Sequence, residues 1–328
     1  MNMKKKLGII IMVMLLASLF NQNQTVYANE GADYSVSPIF SEHQTKTVDS
    51  FFDIRWEPKQ KDIIGLKITN NEATEQSYSI ELNKARTNIN GIIDYSNNEP
   101  EAETAKYKIT EIVKLPQKIK VPANSTKSIE GSVFFGSKDF NGIIMGGLHI
   151  SKIDSSKNSA SVSNTVSYNI PIVLRGNVDK RPNPEINLET IKVAKFSSDK
   201  YALNILLNNK NVNFLKEVKF KATVTNSAGD VIESQTNQID ITPETKFIYP
   251  IKLEGKYKPG EYQVKLQVNH SKKNRWTFDD KFTISKKDVK DIKAVTQNDN
   301  KNWLVYIILG MIVVAGIGLI IFLRKRHK

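Results

Sequence analysis

Apolar residues recur at every second position through much of the middle of this chain. The clearest runs lie at residues 64–68, 166–174, 220–224 and 262–268. Such alternation is typical of strands that bury one face and expose the other. Turn-forming residues such as Asn90-Gly91 separate the runs. No convincing amphipathic helix is found before residue 303, so the sequence predicts an all-β protein with two immunoglobulin-like β-sandwich domains in tandem.

The two ends of the chain are continuously apolar instead. Residues 1–28 contain three lysines, an apolar run and a small-residue site ending at Ala28, the order of an export signal peptide. Residues 303–323 carry no charge. At about 1.5 Å per residue, one helix of that length crosses the roughly 30 Å core of a bilayer. We therefore expect a C-terminal transmembrane helix, with residues 324–328 as a cytoplasmic basic tail.

The segment order places the protein in the cell membrane as a single-pass protein whose N-terminal domains are extracellular, on the cell-wall side. Aromatic rings favour the headgroup level of a bilayer, and lysine and arginine favour its cytoplasmic side. The predicted anchor residues are Trp303, Tyr306, Arg324, Lys325 and Arg326.

Charge and cysteine content restrict the class of protein. None of the 328 residues is cysteine, so packed cores must hold the folded part together without disulfides. The formal net charge is +13, but seven of the 47 basic residues lie in the two ends. The external part keeps 40 basic against 34 acidic residues. This excess suits an anionic wall polymer, and a protein outside the cell is not expected to bind nucleic acid.

Composition also divides the external part. Pro182 and Pro184 stand among polar residues, where they interrupt a β-ladder and stiffen a linker. The predicted order is a first sandwich at 29–176, a linker at 177–184, a second sandwich at 185–285 and a polar stalk at 286–302.

Motifs for catalysis are missing from the sequence. It has no phosphate-binding glycine loop and no nucleophile elbow, and thiolate chemistry is excluded. No second histidine stands at metal-binding spacing from any of the four. We predict a non-enzymatic protein without a cofactor or metal site.

One glycine-rich segment interrupts a strongly apolar run. Glycine weakens a strand unless the backbone must bend or come close to another chain. The segment therefore forms either a strand packed tightly on its neighbour or a backbone surface that receives a ligand or a partner strand. The candidate partner-binding residues are Asn141, Gly142, Gly146 and Gly147.

Two tryptophans each follow an arginine, in the pairs Arg55-Trp56 and Arg275-Trp276. Each ring is either part of a core or a platform on which a sugar stacks. The guanidinium groups beside them can pair with wall phosphates or carboxylates. All four residues are candidates for partner binding.

Ten short segments of the chain occur in an order and spacing that is typical of one family. Those in the first half are Tyr34–Phe40, Phe51–Ile54, Leu66–Asn71, Asn90–Ser96, Val121–Ser125 and Asn141–Ile150. Those in the second half are Asn208-Asn209, Phe214-Leu215, Pro259–Tyr262 and Trp276–Phe278. In this order and spacing the chain resembles the WxL-interacting proteins of low-GC Gram-positive bacteria.

The resemblance implies a peptidoglycan-binding first domain and a host-binding second domain. It implies a cell-surface scaffold or adhesion protein whose partners are WxL-domain proteins, peptidoglycan or another wall polymer, and a host extracellular-matrix protein. An alternative is an extracytoplasmic chaperone that assists the export or display of WxL proteins. A wall hydrolase is disfavoured, because the sequence offers no acid–base or metal set.

Overall fold

The computed structural model describes residues 32–103, 105–137, 139–153, 166–197, 200–254 and 256–299. These residues form an all-β structure with strands β1–β18 and two helices. The strands belong to two sandwiches that follow one another along the chain.

The first sandwich contains β1 to β11. Its elements are β1 (Tyr34–Ile39), β2 (Phe52–Arg55), β3 (Lys61–Asn70), β4 (Gln76–Lys84), β5 (Arg86–Thr87), β6 (Ile93–Asp94), helix α1 (Ile109–Ile112), β7 (Val113–Lys114), β8 (Lys118–Val121), β9 (Ser125–Phe134), β10 (Ile143–Lys152) and β11 (Ser167–Arg175). One sheet has the order β1-β3-β9-β7 and the other β2-β11-β10-β4-β8. Strands β2 and β11 pair in parallel, and β5 and β6 form a separate hairpin.

The period-two pattern sets the core of this sandwich. Ile64, Leu66 and Ile68 of β3 point into it from one sheet, and Leu148 and Ile172 point into it from the other. All five are almost completely buried. Burial of each such side chain contributes about 1.5–3 kcal/mol, which makes this core the main source of stability for the domain.

The second sandwich contains β12 to β18. Its elements are β12 (Ile186–Ser197), β13 (Lys200–Asn209), β14 (Leu215–Asn226), β15 (Val231–Ile241), β16 (Thr245–Lys252), β17 (Gly260–Asn269), β18 (Arg275–Ile284) and helix α2 (Lys286–Asp299). The sheets have the orders β12-β13-β16 and β15-β14-β17-β18. Alternate residues such as Phe220 and Val264 meet Leu203 and Tyr249 of the opposite sheet in the core.

The expectation of a polar stalk is wrong for residues 286–299, which form helix α2. The backbone N–H of Ser285 donates to the Asp288 carboxylate at 2.8 Å, and the backbone N–H of Asp288 donates to the Ser285 hydroxyl at 3.1 Å. This reciprocal cap fixes the start of the helix. Val289 and Ile292, three residues apart, lie on one face and are buried in the second core. The helix is fastened to the sandwich by those two side chains.

The segment between the sandwiches, residues 177–184, is hydrogen-bonded to both of them. The N–H of Asn177 donates to the Phe140 carbonyl at 2.8 Å on the first sandwich. The Asn213 side-chain amide of the second sandwich donates to the Pro182 carbonyl at 2.8 Å. These bonds hold the segment in place at the junction.

The β5–β6 hairpin of the first sandwich docks on the end of β15 in the second. The Thr87 hydroxyl donates to the Asp240 carbonyl at 2.8 Å and accepts from the Thr242 N–H at 3.0 Å. The Asp240 N–H donates to the Gly91 carbonyl at 3.0 Å. Phe214 of the second sandwich also packs on a small buried cluster of the first. Hydrogen bonds and apolar contacts together fix how the sandwiches sit on each other.

Gly91 allows the hairpin to approach this closely. Its φ of +76° lies in the left-handed region, and a Cβ built there would be 2.1 Å from Cγ2 of Ile239. Any side chain at position 91 would therefore meet both backbone strain and a clash across the interface.

We expect Ser285→Ala to lower the free energy of unfolding by about 1 kcal/mol, because it removes the cap of α2. Urea unfolding followed by circular dichroism measures the loss. Ser128→Ala, at an exposed position of β9, is the control and should change the value by less than about 0.5 kcal/mol. Equal effects of the two substitutions would contradict a stabilising cap.

We expect Gly91→Ala to cost about 2–4 kcal/mol, because left-handed strain adds to overpacking against Ile239. Gly229 is a matched control, since its φ is +87° and nothing lies within 4 Å of its built Cβ. Gly229→Ala should cost only about 1–2 kcal/mol. Thermal unfolding measures stability, and limited proteolysis within 177–184 reports undocking. Similar losses and similar cleavage in both variants would count against a tight interface at position 91.

Candidate binding cleft between the sandwiches

A cleft of about 840 Å³ lies between the sandwiches, beside the β5–β6 hairpin. The end of β4, strand β5 and residues 97–102 form one wall, and residues of β13 and β16 form the other. Neither sandwich supplies both walls, so the cleft exists only while the two are docked.

Lys84 is the most unusual side chain of the cleft. It follows Tyr78, Ile80 and Leu82 in the alternation of β4 and is only 3% exposed. Its Nζ has no hydrogen-bond partner in the described part of the chain. Burial lowers the pKa of Lys84, and the nearby Glu101 and Glu244 carboxylates oppose part of that shift. A buried ammonium without a partner costs stability, so its presence here needs an explanation.

The other cations that line the cleft each have an acidic partner. The pairs are Arg86 with Glu99 at 3.9 Å, Lys210 with Glu185 at 3.5 Å and Lys246 with Glu189 at 3.3 Å. Among the cleft residues that the structure describes, Lys84 is therefore the cation that has no counter-ion.

Glu101 is close enough for its charge to act on Lys84, but it forms no ion pair with it, because the Glu101 carboxylate caps helix α1. It accepts from the backbone N–H groups of Ile109 at 3.2 Å and Thr110 at 3.0 Å, and from the Thr110 hydroxyl at 2.8 Å. These three bonds direct the carboxylate oxygens of Glu101 to the helix start.

Glu244 lies opposite Lys84, in the turn between β15 and β16, with a left-handed φ of +50°. Its Oε2 is buried without a hydrogen-bond partner among the described residues. Burial raises the pKa of Glu244, although the charge of Lys84 opposes the shift. No ion pair within 4.0 Å joins the two side chains. The cleft thus presents a buried donor and a buried acceptor that are not bonded to each other.

One other cluster has the residue types of a metal site. The candidate ligand atoms of Glu42, His43 and Asp62 lie within 4.8 Å of one another. The Asp62 carboxylate already accepts from Gln60 Nε2 at 2.7 Å and lies 2.6 Å from His43 Nδ1. Its hydrogen bond raises the pKa of His43. We interpret the cluster as a network that fastens the loop after β1 to β3.

The glycine-rich segment forms β10, a strand with neighbours on both sides. It pairs with β11 on one side and β4 on the other, so the partner-strand interpretation is wrong. A Cβ at Gly146 would lie 2.6 Å from the Asn83 carbonyl, and one at Gly147 would lie 2.5 Å from the Tyr95 ring. The glycines are therefore needed for internal packing.

The residues just before β10 meet the second sandwich. Asn141 is exposed, whereas Gly142 is buried, with Val212 across the interface. A Cβ at Gly142, whose φ is +141°, would lie 2.3 Å from Cγ2 of Val212. A role of Asn141 in partner binding stays a prediction.

Trp56 belongs to the first core, so its interpretation as a sugar platform is wrong. It is 6% exposed and packs against the rings of Tyr107, Phe135 and Phe140, with centroids 4.8–5.4 Å away. Arg55 beside it is exposed. The structure does not test whether Arg55 binds a partner.

The second tryptophan is in a different environment. Trp276 is half-buried against the second core, and Arg275 is exposed at the start of β18. The two Arg-Trp pairs belong to different sandwiches and do not form one site. Roles for Arg275 and Trp276 in binding stay predictions.

The predicted export signal at 1–28 and the anchor residues Trp303, Tyr306, Arg324, Lys325 and Arg326 lie outside the described residues. Neither helix within the described ranges has the length and apolar character that a bilayer crossing requires.

Sequence reasoning missed Lys84 and Glu244. The alternation of β4 could have marked Lys84. Tyr78, Ile80 and Leu82 occupy the inward-facing positions of that strand, and Lys84 is a charged residue at the next such position. No such signal marks Glu244, whose position depends on how the sandwiches dock.

The fold defines a protein with two β-sandwiches in tandem. Comparison with known families matches residues 34–152 to the WxL Interacting Protein, peptidoglycan binding domain, and residues 157–294 to the WxL Interacting Protein, host binding domain. The chain belongs to the WxL-interacting protein family, as its segments predicted. The second match begins before β11, although β11 pairs within the first sandwich.

Solved structures that match the chain include a chaperone-tip adhesin complex of CFA/I fimbriae and the E. coli chaperone DraB. The first is 15% identical, with a TM-score of 0.32, and the match covers 76% of this chain and 98% of that one. The second is 12% identical, with a TM-score of 0.30, covering 77% and 98%. Likenesses this low carry no functional argument. No curated protein matches the chain.

We expect Glu244→Gln to raise the thermal midpoint at pH 7 by about 1–3 °C. The pKa of Glu244 in the folded protein is raised above its ordinary value of 4.5. The protonated carboxyl therefore stabilises the fold fully below pH 4.5, and this stabilisation is lost as the pH rises through the folded-state pKa. Glutamine resembles the protonated acid, so the gain should vanish near pH 4. Calorimetry at both pH values measures the difference. Glu130→Gln, at an exposed position of β9, is the control, and a gain independent of pH would contradict this explanation.

Proposed function

We propose that this chain is a non-enzymatic, membrane-anchored scaffold on the surface of a Gram-positive cell, and that it binds WxL-domain proteins and peptidoglycan. The observation that carries the proposal is the match to two binding-domain models, in order, along one chain. The docking of the two sandwiches supports it further, because a fixed joint keeps two binding surfaces at a constant separation.

The apolar ends support the location. Residues 1–28 have the pattern of an export signal, and the uncharged run 303–323 precedes the basic residues 324–328. In this arrangement the described residues lie on the wall side, and the span tethers them by the C-terminus.

The segment order favours partners close to the cell. The second sandwich immediately precedes the predicted span, so it lies nearer the membrane than the first unless the chain folds back. That position suits a WxL-domain partner better than a host extracellular-matrix protein beyond a thick wall. We place the first sandwich against peptidoglycan and leave a host protein as an additional partner of the second.

The chaperone alternative has lost one of the two observations that supported it, the glycine-rich segment, and keeps only the predicted anchor. It expected the sandwich to lend a strand to an unfolded client, but β10 is paired on both edges within the sheet. A different strand, such as the edge strand β15, would have to take that role.

The full-length protein in detergent micelles tests the proposal. We expect it to sediment with purified peptidoglycan and to be retained on an immobilised WxL domain. An unrelated single-span β-sandwich protein in the same detergent is the control for non-specific adsorption. Retention on neither material would refute the proposed function, and release of soluble wall fragments during the incubation would revive the hydrolase.

A further inference from the structure

The interdomain cleft is lined by three residues with a buried polar atom that the described part of the protein does not satisfy. The atoms are Nζ of Lys84, Nε of Arg86 and Oε2 of Glu244. Lys84 belongs to the first sandwich and Glu244 to the second, yet both line the same cleft. A buried polar group without a partner costs roughly 1–3 kcal/mol, and more when it is charged. Three such atoms in one cleft indicate a site that a ligand completes.

The surrounding groups show which kind of ligand fits. The other cleft cations are paired with acids, and Glu101 is bonded to the start of α1. What remains is two cationic donors on the first sandwich, Nζ of Lys84 and Nε of Arg86, and one acceptor on the second, Oε2 of Glu244. A molecule that satisfies both sides must carry an anionic acceptor and, at a distance, a donor such as an amide N–H or an ammonium group.

Size and apolar surface restrict the ligand further. A cleft of about 840 Å³ is in the range of pockets that hold small ligands and short peptides. Ile89 and Ile248 also line it, 43% and 36% exposed. These side chains offer apolar contacts to methyl groups on a ligand.

We propose that the cleft binds a short peptide with a free carboxylate, seated on Nζ of Lys84, while an amide or ammonium group of the same peptide donates to Glu244. Since this rests on the proposed wall-binding function, we assign the peptide to the stems of peptidoglycan. The carboxylate supplies the counter-ion that Lys84 lacks, in a charge-assisted hydrogen bond.

This assignment makes the ligand a bridge between the sandwiches. Its carboxylate is held by the first sandwich and its donor by the second. A ligand that binds only the docked arrangement stabilises that arrangement. Binding should therefore protect the segment 177–184 from proteolysis as well as raise the thermal midpoint.

The test uses the full-length protein in micelles and isothermal titration with four probes. They are soluble muropeptides with free stem carboxylates, the same muropeptides with those carboxylates amidated, glycan strands stripped of peptides, and a linear L-peptide of equal length with a free C-terminus. We expect only the first probe to bind well. Amidation of the stem carboxylates should weaken muropeptide binding at least about tenfold, because the charge-assisted hydrogen bond to Lys84 is lost.

Lys84→Met and Glu244→Gln separate binding from structure. Lys84→Met should weaken muropeptide binding at least about tenfold without lowering the thermal midpoint of the free protein, because an unpaired buried charge is removed. Glu244→Gln should weaken muropeptide binding several-fold. This second variant keeps the test valid if the Lys84→Met protein does not fold. Lys67→Met, at an exposed position of β3, is the matched control and should bind as the wild type does.

Unchanged affinity in a folded Lys84→Met or Glu244→Gln variant would overturn the site. Equal binding of stripped glycan, or binding of the linear peptide alone, would overturn the stem-peptide assignment. If the wild type retains whole peptidoglycan but no muropeptide, the cleft assignment fails while the proposed function stands. If it retains neither peptidoglycan nor a WxL domain, the proposed function fails as well.

Discussion

The hydrogen bonds that Thr87 makes across the interface are the constraint on which the rest of the structure depends. Its hydroxyl donates to the Asp240 carbonyl and accepts from the Thr242 N–H, and the Thr87 side chain is buried. The Asp240–Gly91 bond and the packing of Phe214 act with this contact to dock the sandwiches. The resulting joint creates a cleft that neither sandwich forms by itself.

The cleft shows how the docking changes the chemistry of ordinary residues. Lys84 is 3% exposed and lines a cleft whose other wall belongs to the second sandwich. Neither sandwich brings a counter-ion within 4.0 Å of its ammonium group in the described part of the chain. The interdomain cleft thus buries a lysine ammonium without a counter-ion, which lowers stability. Such a group is typical of a binding surface and uncommon in a purely structural contact.

Most of the strands could be predicted from the sequence, because alternation at residues such as Ile64, Leu66 and Ile68 is a local property that tertiary contacts reinforce. Helix α2 was missed, although Ser285 and Asp288 form a capping box that could have marked its start.

The candidate site was harder to predict for a different reason. The sequence left Trp56 either in a core or as a platform, because its ring neighbours, Phe135 and Phe140, come from distant segments. Lys84 and Glu244 lie on different sandwiches, and only the docking angle brings them to one cleft. Local patterns describe strands well, but they do not describe how two folded units meet.

The attachment of helix α2 has a mechanical consequence. Tension applied through the C-terminal end of the chain reaches α2 before any strand. Among the side chains that the structure describes, Val289, Ile292, the Ser285–Asp288 cap and the Tyr201–Asp291 bond hold the helix, whereas a full ladder from Gly260–Ile284 to Asn269–Arg275 holds β18 to β17. We expect the helix to detach before any strand does, and its 14 residues would then lengthen the connection by roughly 25 Å. The two sandwiches would stay docked during this extension.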